Sequence, residues 1–489
     1  MNRSSGVFLN ISSLPSKDGI GTFGKEAYRF VDFLKKAGFS YWQILPTNPT
    51  GFGDSPYQSF STFAGNPYYI DLEMLKKDNL LSDNELQSYN YKNDDSIEYG
   101  LLYKEKFKVL RKAFDRGYKK LVNEVIAFRN ENNFWIEDYS LFMAIKDHLN
   151  GCCLLDWPKD IKERKQKALD YYKNLLKEDV DFYVFIQFLF HKQFSKLKSY
   201  MVDSGIKLIG DIPIYVSMDS SDVWANKDLF KLDKNYVPKL VAGVPPDYFS
   251  EEGQLWGNPI YNYRKMKEDN YNWWVQRVKN ISQYCDVVRI DHFRGFESYY
   301  AVKYGAKNAI NGRWIKGPGI ELFNAIRTEC DIQIIAEDLG FITRSVKKLM
   351  RECEFPGMKV LQFAFDGRKN NEHLPKNHTP NSVCYIGTHD NHTLKGFVDT
   401  LSSKQNEYVR SRLRLKKGPL DEIFIKTLFK SKSNLCIINA CDMLKLDDNF
   451  RMNIPATAKN NWVFRLLDFD DLFKTKNKYY KLNKKTNRL

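Results

Sequence analysis

The chain has 489 residues, of which 43% are hydrophobic and 15% aromatic, an ordinary globular composition sufficient for one large barrel or two to three smaller domains. No stretch has the uninterrupted apolar length of a membrane span, and the N-terminus lacks the apolar region of a signal peptide, so a cytoplasmic protein without a membrane partner is expected. Lys plus Arg number 75 against 60 Asp plus Glu, but the lysines are spread along the chain without a zinc-finger, RNP-like or helix-turn-helix pattern; they read as a solvated surface, not a nucleic-acid site.

In chain order, Val7-Phe8-Leu9 reads as a first strand. An amphipathic helix over 26–37, with Gly38 as its C-terminal stop, precedes a second strand at Tyr41-Trp42-Gln43-Ile44-Leu45. A mostly helical stretch follows, with a charged run from 104 to 128, a loop over 152–158 and an apolar-rich helix over 181–198. It is far longer than a crossover requires and reads as an inserted subdomain over 72–205. The third strand is Lys207-Leu208-Ile209-Gly210-Asp211, followed by a second insertion at about 224–263, rich in Gly and Pro and weak in helix periodicity. The remaining strands are Val287-Val288-Arg289-Ile290-Asp291, Ile332-Gln333-Ile334-Ile335-Ala336, Val360-Leu361-Gln362-Phe363, Val383-Cys384-Tyr385-Ile386 and Cys436-Ile437-Ile438. Eight strands alternating with helices predict an α/β fold, a (β/α)8 TIM barrel built from 1–71 and 206–489 around the helical insertion. The basic end, Lys484-Lys485-Thr486-Asn487-Arg488-Leu489, reads as a solvated, partly frayed tail. The eight cysteines are scattered without a C-x-x-C pair, so neither a disulfide framework nor a zinc site is expected.

Three apolar runs end in acids: one in Asp291, one running into Glu337-Asp338, and one into His389-Asp390. Barrel enzymes place catalytic groups at such strand ends. Retaining glycoside chemistry needs two carboxyls about 5–5.5 Å apart, one attacking the anomeric carbon and one protonating the leaving oxygen. Asp291 and Glu337 end successive strands and can face each other across the barrel mouth. Arg289, two residues before Asp291, points to the same side and favours an ionised nucleophile, whereas Glu337 needs a raised pKa to hold a proton near neutral pH. His292 and His389 belong to no closely spaced ligand set, so hydrogen-bonding roles are expected, with no metal and no organic cofactor.

The segments Ser55-Pro56-Tyr57-Gln58-Ser59-Phe60-Ser61, Gly210-Asp211-Ile212-Pro213-Ile214-Tyr215, 242–249, Gly253-Gln254-Leu255-Trp256-Gly257-Asn258-Pro259, Arg289-Ile290-Asp291-His292-Phe293-Arg294-Gly295, Glu337-Asp338-Leu339-Gly340 and Gly387-Thr388-His389-Asp390-Asn391 together resemble the amylomaltase (disproportionating enzyme) family of 4-α-glucanotransferases, within the α-amylase clan. The resemblance covers nearly the whole chain. It implies Asp291 as nucleophile, Glu337 as general acid/base and Asp390 as a third carboxylate that stabilises the transition state. It also implies maltooligosaccharide and α-glucan substrates. Around the donor sugar, Arg289, His292 and His389 supply hydrogen bonds, Tyr57 and Trp256 offer flat apolar faces, and Asp211 binds hydroxyls or supports the site. The chain departs from the family pattern at His392, where Asp is usual, at Phe397 for Trp, at Cys441 for Gln before Asp442, and at Ala456 and Asn460 for Gly. Two rival readings are an α-glucan hydrolase and a glucan-binding protein weakened in turnover by those departures.

Overall fold

The computed structural model describes residues 1–89, 91, 94–246, 250–414, 417–457 and 459–489. Its strands are β1 Ser4–Phe8, β2 Tyr41–Gln43, β3 Lys207–Ile212, β4 Leu240–Val244, β5 Gln254–Pro259, β6 Val287–Ile290, β7 Ser298–Lys303, β8 Arg313–Lys316, β9 Gln333–Ala336, β10 Gly357–Val360, β11 Ser382–Tyr385 and β12 Leu435–Asn439. Eight of them close into a barrel in the order β1-β12-β11-β10-β9-β6-β3-β2, each pair parallel. Their residues are almost all buried, as in strands covered on both faces, and each fully buried Val, Leu or Ile side chain contributes about 1.5–3 kcal/mol. Among the described residues, no helix is long and apolar enough to cross a membrane.

The register of the barrel places the acids. β3 and β6 pair Asp211 with Arg289, and β6 and β9 pair Ile290 with Ala336, so Asp291 and Glu337 are the next residues at the C-terminal ends of neighbouring strands. The ladder continues past both ends, with Asp291 N donating to Ile212 O at 2.9 Å and Glu337 N donating to Ile290 O at 3.0 Å.

The sixth barrel strand lies earlier than the apolar run suggested. It is Gly357–Val360, and Leu361–Ala364 form a 3-10 turn instead. Pro356-Gly357 has the look of a turn, yet glycine is needed here for close approach. A Cβ on Gly357 would lie 2.5 Å from the Asp338 carboxylate, which accepts from Met358 N at 2.6 Å. The first helix runs Lys25–Ala37 and stops at Gly38, with φ 74°. The charged run at 104–128 is divided between helices Tyr99–Gly117 and Val122–Glu131.

Helix Lys177–Asp203 packs on the segment after β2 through two glutamines that act like strand backbone. Gln187 bonds both the N–H and the C=O of Gly65 at 2.7 and 2.8 Å, and Gln193 does the same for Asp71 at 2.7 and 3.0 Å. Asp222, buried behind this segment, accepts from Thr62 N at 2.8 Å. These bonds satisfy loop amides that would otherwise be buried unpaired, and so fix the loop that carries Tyr57.

Two further parts of the sequence reading are corrected. The Gly- and Pro-rich stretch after the third strand contributes β4 and β5 to an antiparallel sheet, ordered β5-β4-β7-β8, beside the barrel mouth. The basic C-terminus is docked, not frayed. Helix Lys476–Lys485 packs on the barrel, and the fully buried Arg488 guanidinium donates to the carbonyls of Ser4, Phe429, Ser431, Ser433 and Asn434 at 2.7–3.2 Å. An arginine with five donors can close off carbonyls at the base of a barrel, so a basic residue is here an interior one.

Candidate active site

Cross-strand pairing dictates the centre of the site. Because Asp211 and Arg289 are register partners, both side chains enter the barrel at one level, and Arg289 Nη1 donates to both Asp211 oxygens at 2.8 and 2.7 Å. Two residues on, Asp291 shares that face, and Arg289 Nη2 donates to its Oδ1 at 2.8 Å. One planar guanidinium thus orients two carboxylates. Burial works against the arginine's charge, but Asp211, Asp291, Tyr57 and Glu337 together hold it protonated well beyond its ordinary range. Burial pushes Asp211 upward, with Arg289 opposing.

Glu337 is held differently. Its Oε2 accepts from His292 N at 2.8 Å, the peptide that links Asp291 to His292, and its Oε1 accepts from Leu339 N at 2.6 Å. Burial, and then the negative charge of Asp291, push its pKa up to about 8 in spite of Arg289 and the Leu339 amide. This carboxyl therefore holds its proton at neutral pH.

The third carboxylate lies on the other side of Tyr57. The Tyr57 hydroxyl donates to Asp211 Oδ2 at 2.7 Å and meets His389 Nε2 at 3.2 Å, with the two rings stacked at 5.4 Å. His389 Nε2 is 3.3 Å from Asp390 Oδ2, and Asn453 Nδ2 donates to Asp390 Oδ1 at 2.6 Å. Burial raises the Asp390 pKa, but His389, Asn453 and Arg289 outweigh it and hold this acid down at about 2. The pocket therefore contains one acid kept protonated and one kept ionised.

His292 adopts φ 48°, a left-handed conformation uncommon outside glycine and of the kind that clusters at functional sites. Burial lowers its pKa to about 4, so the ring is neutral. Its Nε2 is buried with no protein partner among the described residues, and the edge of the ring meets Trp256 at 4.9 Å and 86°. Trp256 is joined to the site through this contact. The other sequence-predicted residues, Tyr57, Asp211, Arg289, Asp291, Glu337, His389 and Asp390, form one hydrogen-bonded and charge-linked group. Within the segment 242–249, Asp247, Tyr248 and Phe249 lie outside the described residues.

The sequence reading missed Asn453, Arg451 and Trp462. Arg451 Nη2 donates to the Asp390 carbonyl at 2.5 Å, and Trp462 closes over Tyr57 and His389 at 5.7 and 5.9 Å. The only available signal was their place beside Ala456 in the segment already noted for its departures. Those departures have physical counterparts. Ala456 and Asn460 take φ 63° and 60°, the conformation for which glycine is suited. His392 Nδ1 meets Asp448 Oδ2 at 2.5 Å, Phe397 packs on Phe365 and Phe424, and Cys441 lines a small cavity behind His389. None displaces the three carboxylates.

Ala456→Gly is expected to stabilise the protein by about 0.5–1 kcal/mol, because relief of left-handed strain exceeds the added freedom of the unfolded chain. The thermal midpoint measures this; a lower midpoint would show that the turn carries no strain.

The sequence matches the glycoside hydrolase 77 family, described as 4-alpha-glucanotransferase, over residues 9–470. It is 47% identical to a 4-alpha-glucanotransferase of Clostridium butyricum over 97% of this chain and 99% of that one. It is 41% identical to the 4-alpha-glucanotransferase of Thermus thermophilus over 95% of each chain. An amylomaltase of Streptococcus agalactiae, solved in complex with acarbose, superposes with a TM-score of 0.96 at 40% identity over 99% of both chains. With its closed barrel and its linked group of acids at the strand ends, the chain belongs to glycoside hydrolase family 77, the 4-alpha-glucanotransferases, enzymes that transfer α-1,4-glucan segments.

Proposed function

We propose that transfer proceeds by double displacement, with Asp291 as nucleophile, Glu337 as acid/base and Asp390 as the fixed anion beside the sugar. The observation that carries this reading is the contrast between Glu337, pushed up to about 8, and Asp390, held at about 2, around one site. An Asp291 oxygen attacks the anomeric carbon of an α-1,4 linkage, the glycosidic C–O bond breaks, and the Glu337 proton passes to the departing glucan oxygen. The 4-hydroxyl of an acceptor glucan then attacks the same carbon and returns its proton to Glu337. Asp291 is released, and the product is a new α-1,4 bond with net retention. Asp390 stabilises the cationic transition state, and His292 Nε2 is free to bond a sugar hydroxyl. Tyr57, Asp211 and Arg289 hold the nucleophile in place, and Trp256 offers a stacking face.

We also read 72–205 as an inserted subdomain that braces the Tyr57 loop, supported by the Gln187 and Gln193 bonds. A cytoplasmic location is supported by eight cysteines that are all free thiols.

Incubation with maltotriose tests the reading. Glucose plus a ladder of longer maltooligosaccharides, at a constant number of reducing ends, is expected; rising reducing ends would mean hydrolysis instead. The pH profile follows from Glu337. It must be protonated to cleave the donor, so kcat/KM is expected to fall about tenfold per pH unit above about 8. The sign for stability is the same. A carboxyl with a pKa raised in the folded state adds stability that is complete below 4.5 and is lost as pH rises to about 8. A pH–rate profile in which that alkaline limb is absent contradicts the assignment.

A further inference from the structure

The loop after Glu337 and the neighbouring edge strand β8 each present a large aromatic side chain to solvent. Phe341, four residues beyond Glu337, is 73% exposed, the highest value among the described large apolar residues, and Trp314, on edge strand β8, is 39% exposed. A single residue joins them. Arg294, three residues beyond Asp291 and buried, stacks on Trp314 with its guanidinium carbon 3.7 Å from the ring centroid, lies 5.7 Å from the Phe341 ring, and donates through Nη1 to the Phe341 carbonyl. Tyr300 supports Trp314 from the side, with centroids 5.2 Å apart at 63°. The two rings are therefore held by a built support, not left exposed on a mobile loop.

We propose that Trp314 and Phe341 form an outlying binding platform for the acceptor or leaving-group side of a long α-1,4-glucan, beyond the catalytic pocket. Two considerations identify the occupant. The platform is continuous with the established site, since four residues of chain place Phe341 within about 14 Å of Glu337. Phe341 lies on the loop of the residue that exchanges a proton with the departing and incoming glucan, so a chain extending from that oxygen is placed to reach the platform. Aromatic faces suit the apolar C–H faces of glucose rings, and two rings at the rim extend the grip on a chain without taking part in bond making.

This inference rests on the transferase reading, and its test separates the two. Maltotriose is too short to occupy both the catalytic pocket and an outlying platform, whereas maltoheptaose is long enough. In the Trp314→Ala/Phe341→Ala double variant, KM for maltoheptaose is expected to rise about five- to tenfold with kcat unchanged. Maltotriose transfer, measured on the same preparations, should stay within about twofold and reports the activity itself. Trp314→Phe, which keeps an aromatic face, should retain the wild-type KM. An unchanged maltoheptaose KM in the double variant overturns the proposal. Equal losses on both substrates overturn it too, since they mean that the residues shape the catalytic pocket and not a distant platform.

Discussion

Glu337→Gln is expected to lower kcat on maltotriose by about 10²–10⁴-fold while substrate binding is largely kept. Glutamine has nearly the same shape and its single carbonyl oxygen can still accept from one of the two amides, His292 N and Leu339 N, that position the carboxyl at 2.8 and 2.6 Å. What it cannot do is give up and take back a proton. Folding should survive the change, because glutamine removes a carboxyl that ionises at a buried position only at a cost. Above about pH 8 the variant is therefore expected to unfold at a higher temperature than the parent. Single-turnover kinetics and thermal midpoints provide both numbers; wild-type turnover in this variant is incompatible with the acid/base role.

Arg289→Leu is expected to cost about 3–5 kcal/mol of stability, the size of effect seen when one partner of a buried ion pair is removed. Asp211 is buried, and without the guanidinium its carboxylate and that of Asp291 repel each other with no cation between them. The loss should be smaller at acid pH than at pH 8, because protonating Asp211 relieves the unpaired charge. Adding Asp211→Asn should restore part of the stability but not the activity, since Asp291 remains unsupported. A loss no larger than about 0.5 kcal/mol, the value for a surface substitution, contradicts this account of the charge network.

The barrel and its acids were legible in the sequence because parallel strands buried on both faces read as short apolar runs, and an acid at the end of such a run is conspicuous. The fourth, fifth and seventh runs therefore led directly to Asp291, Glu337 and Asp390. Where the local signal pointed the wrong way, the reading slipped. The sixth strand was read at 360–363 and not at Gly357–Val360, because the space Gly357 leaves is for Asp338 and Met350, which only the fold brings near. Sheet β5-β4-β7-β8 was hidden because Gly243, Pro245 and Gly253 break any strand pattern, and its pairing joins segments far apart in the chain. Arg488 looked like part of a solvated tail, since nothing local shows that five carbonyls await it under the barrel. Asn453 was missed for a similar reason: an isolated asparagine in a loop carries no chemical signature until it is found 2.6 Å from Asp390.

The most direct test of the double-displacement account is to treat the Glu337→Gln variant with α-maltosyl fluoride and measure the intact mass of the protein. Fluoride leaves without protonation, so the first displacement should proceed, whereas the second needs the missing base and should stall. The predicted result is one maltosyl group per chain, mapped by peptide sequencing to Asp291. No adduct, or an adduct on any other residue, would contradict Asp291 as the nucleophile.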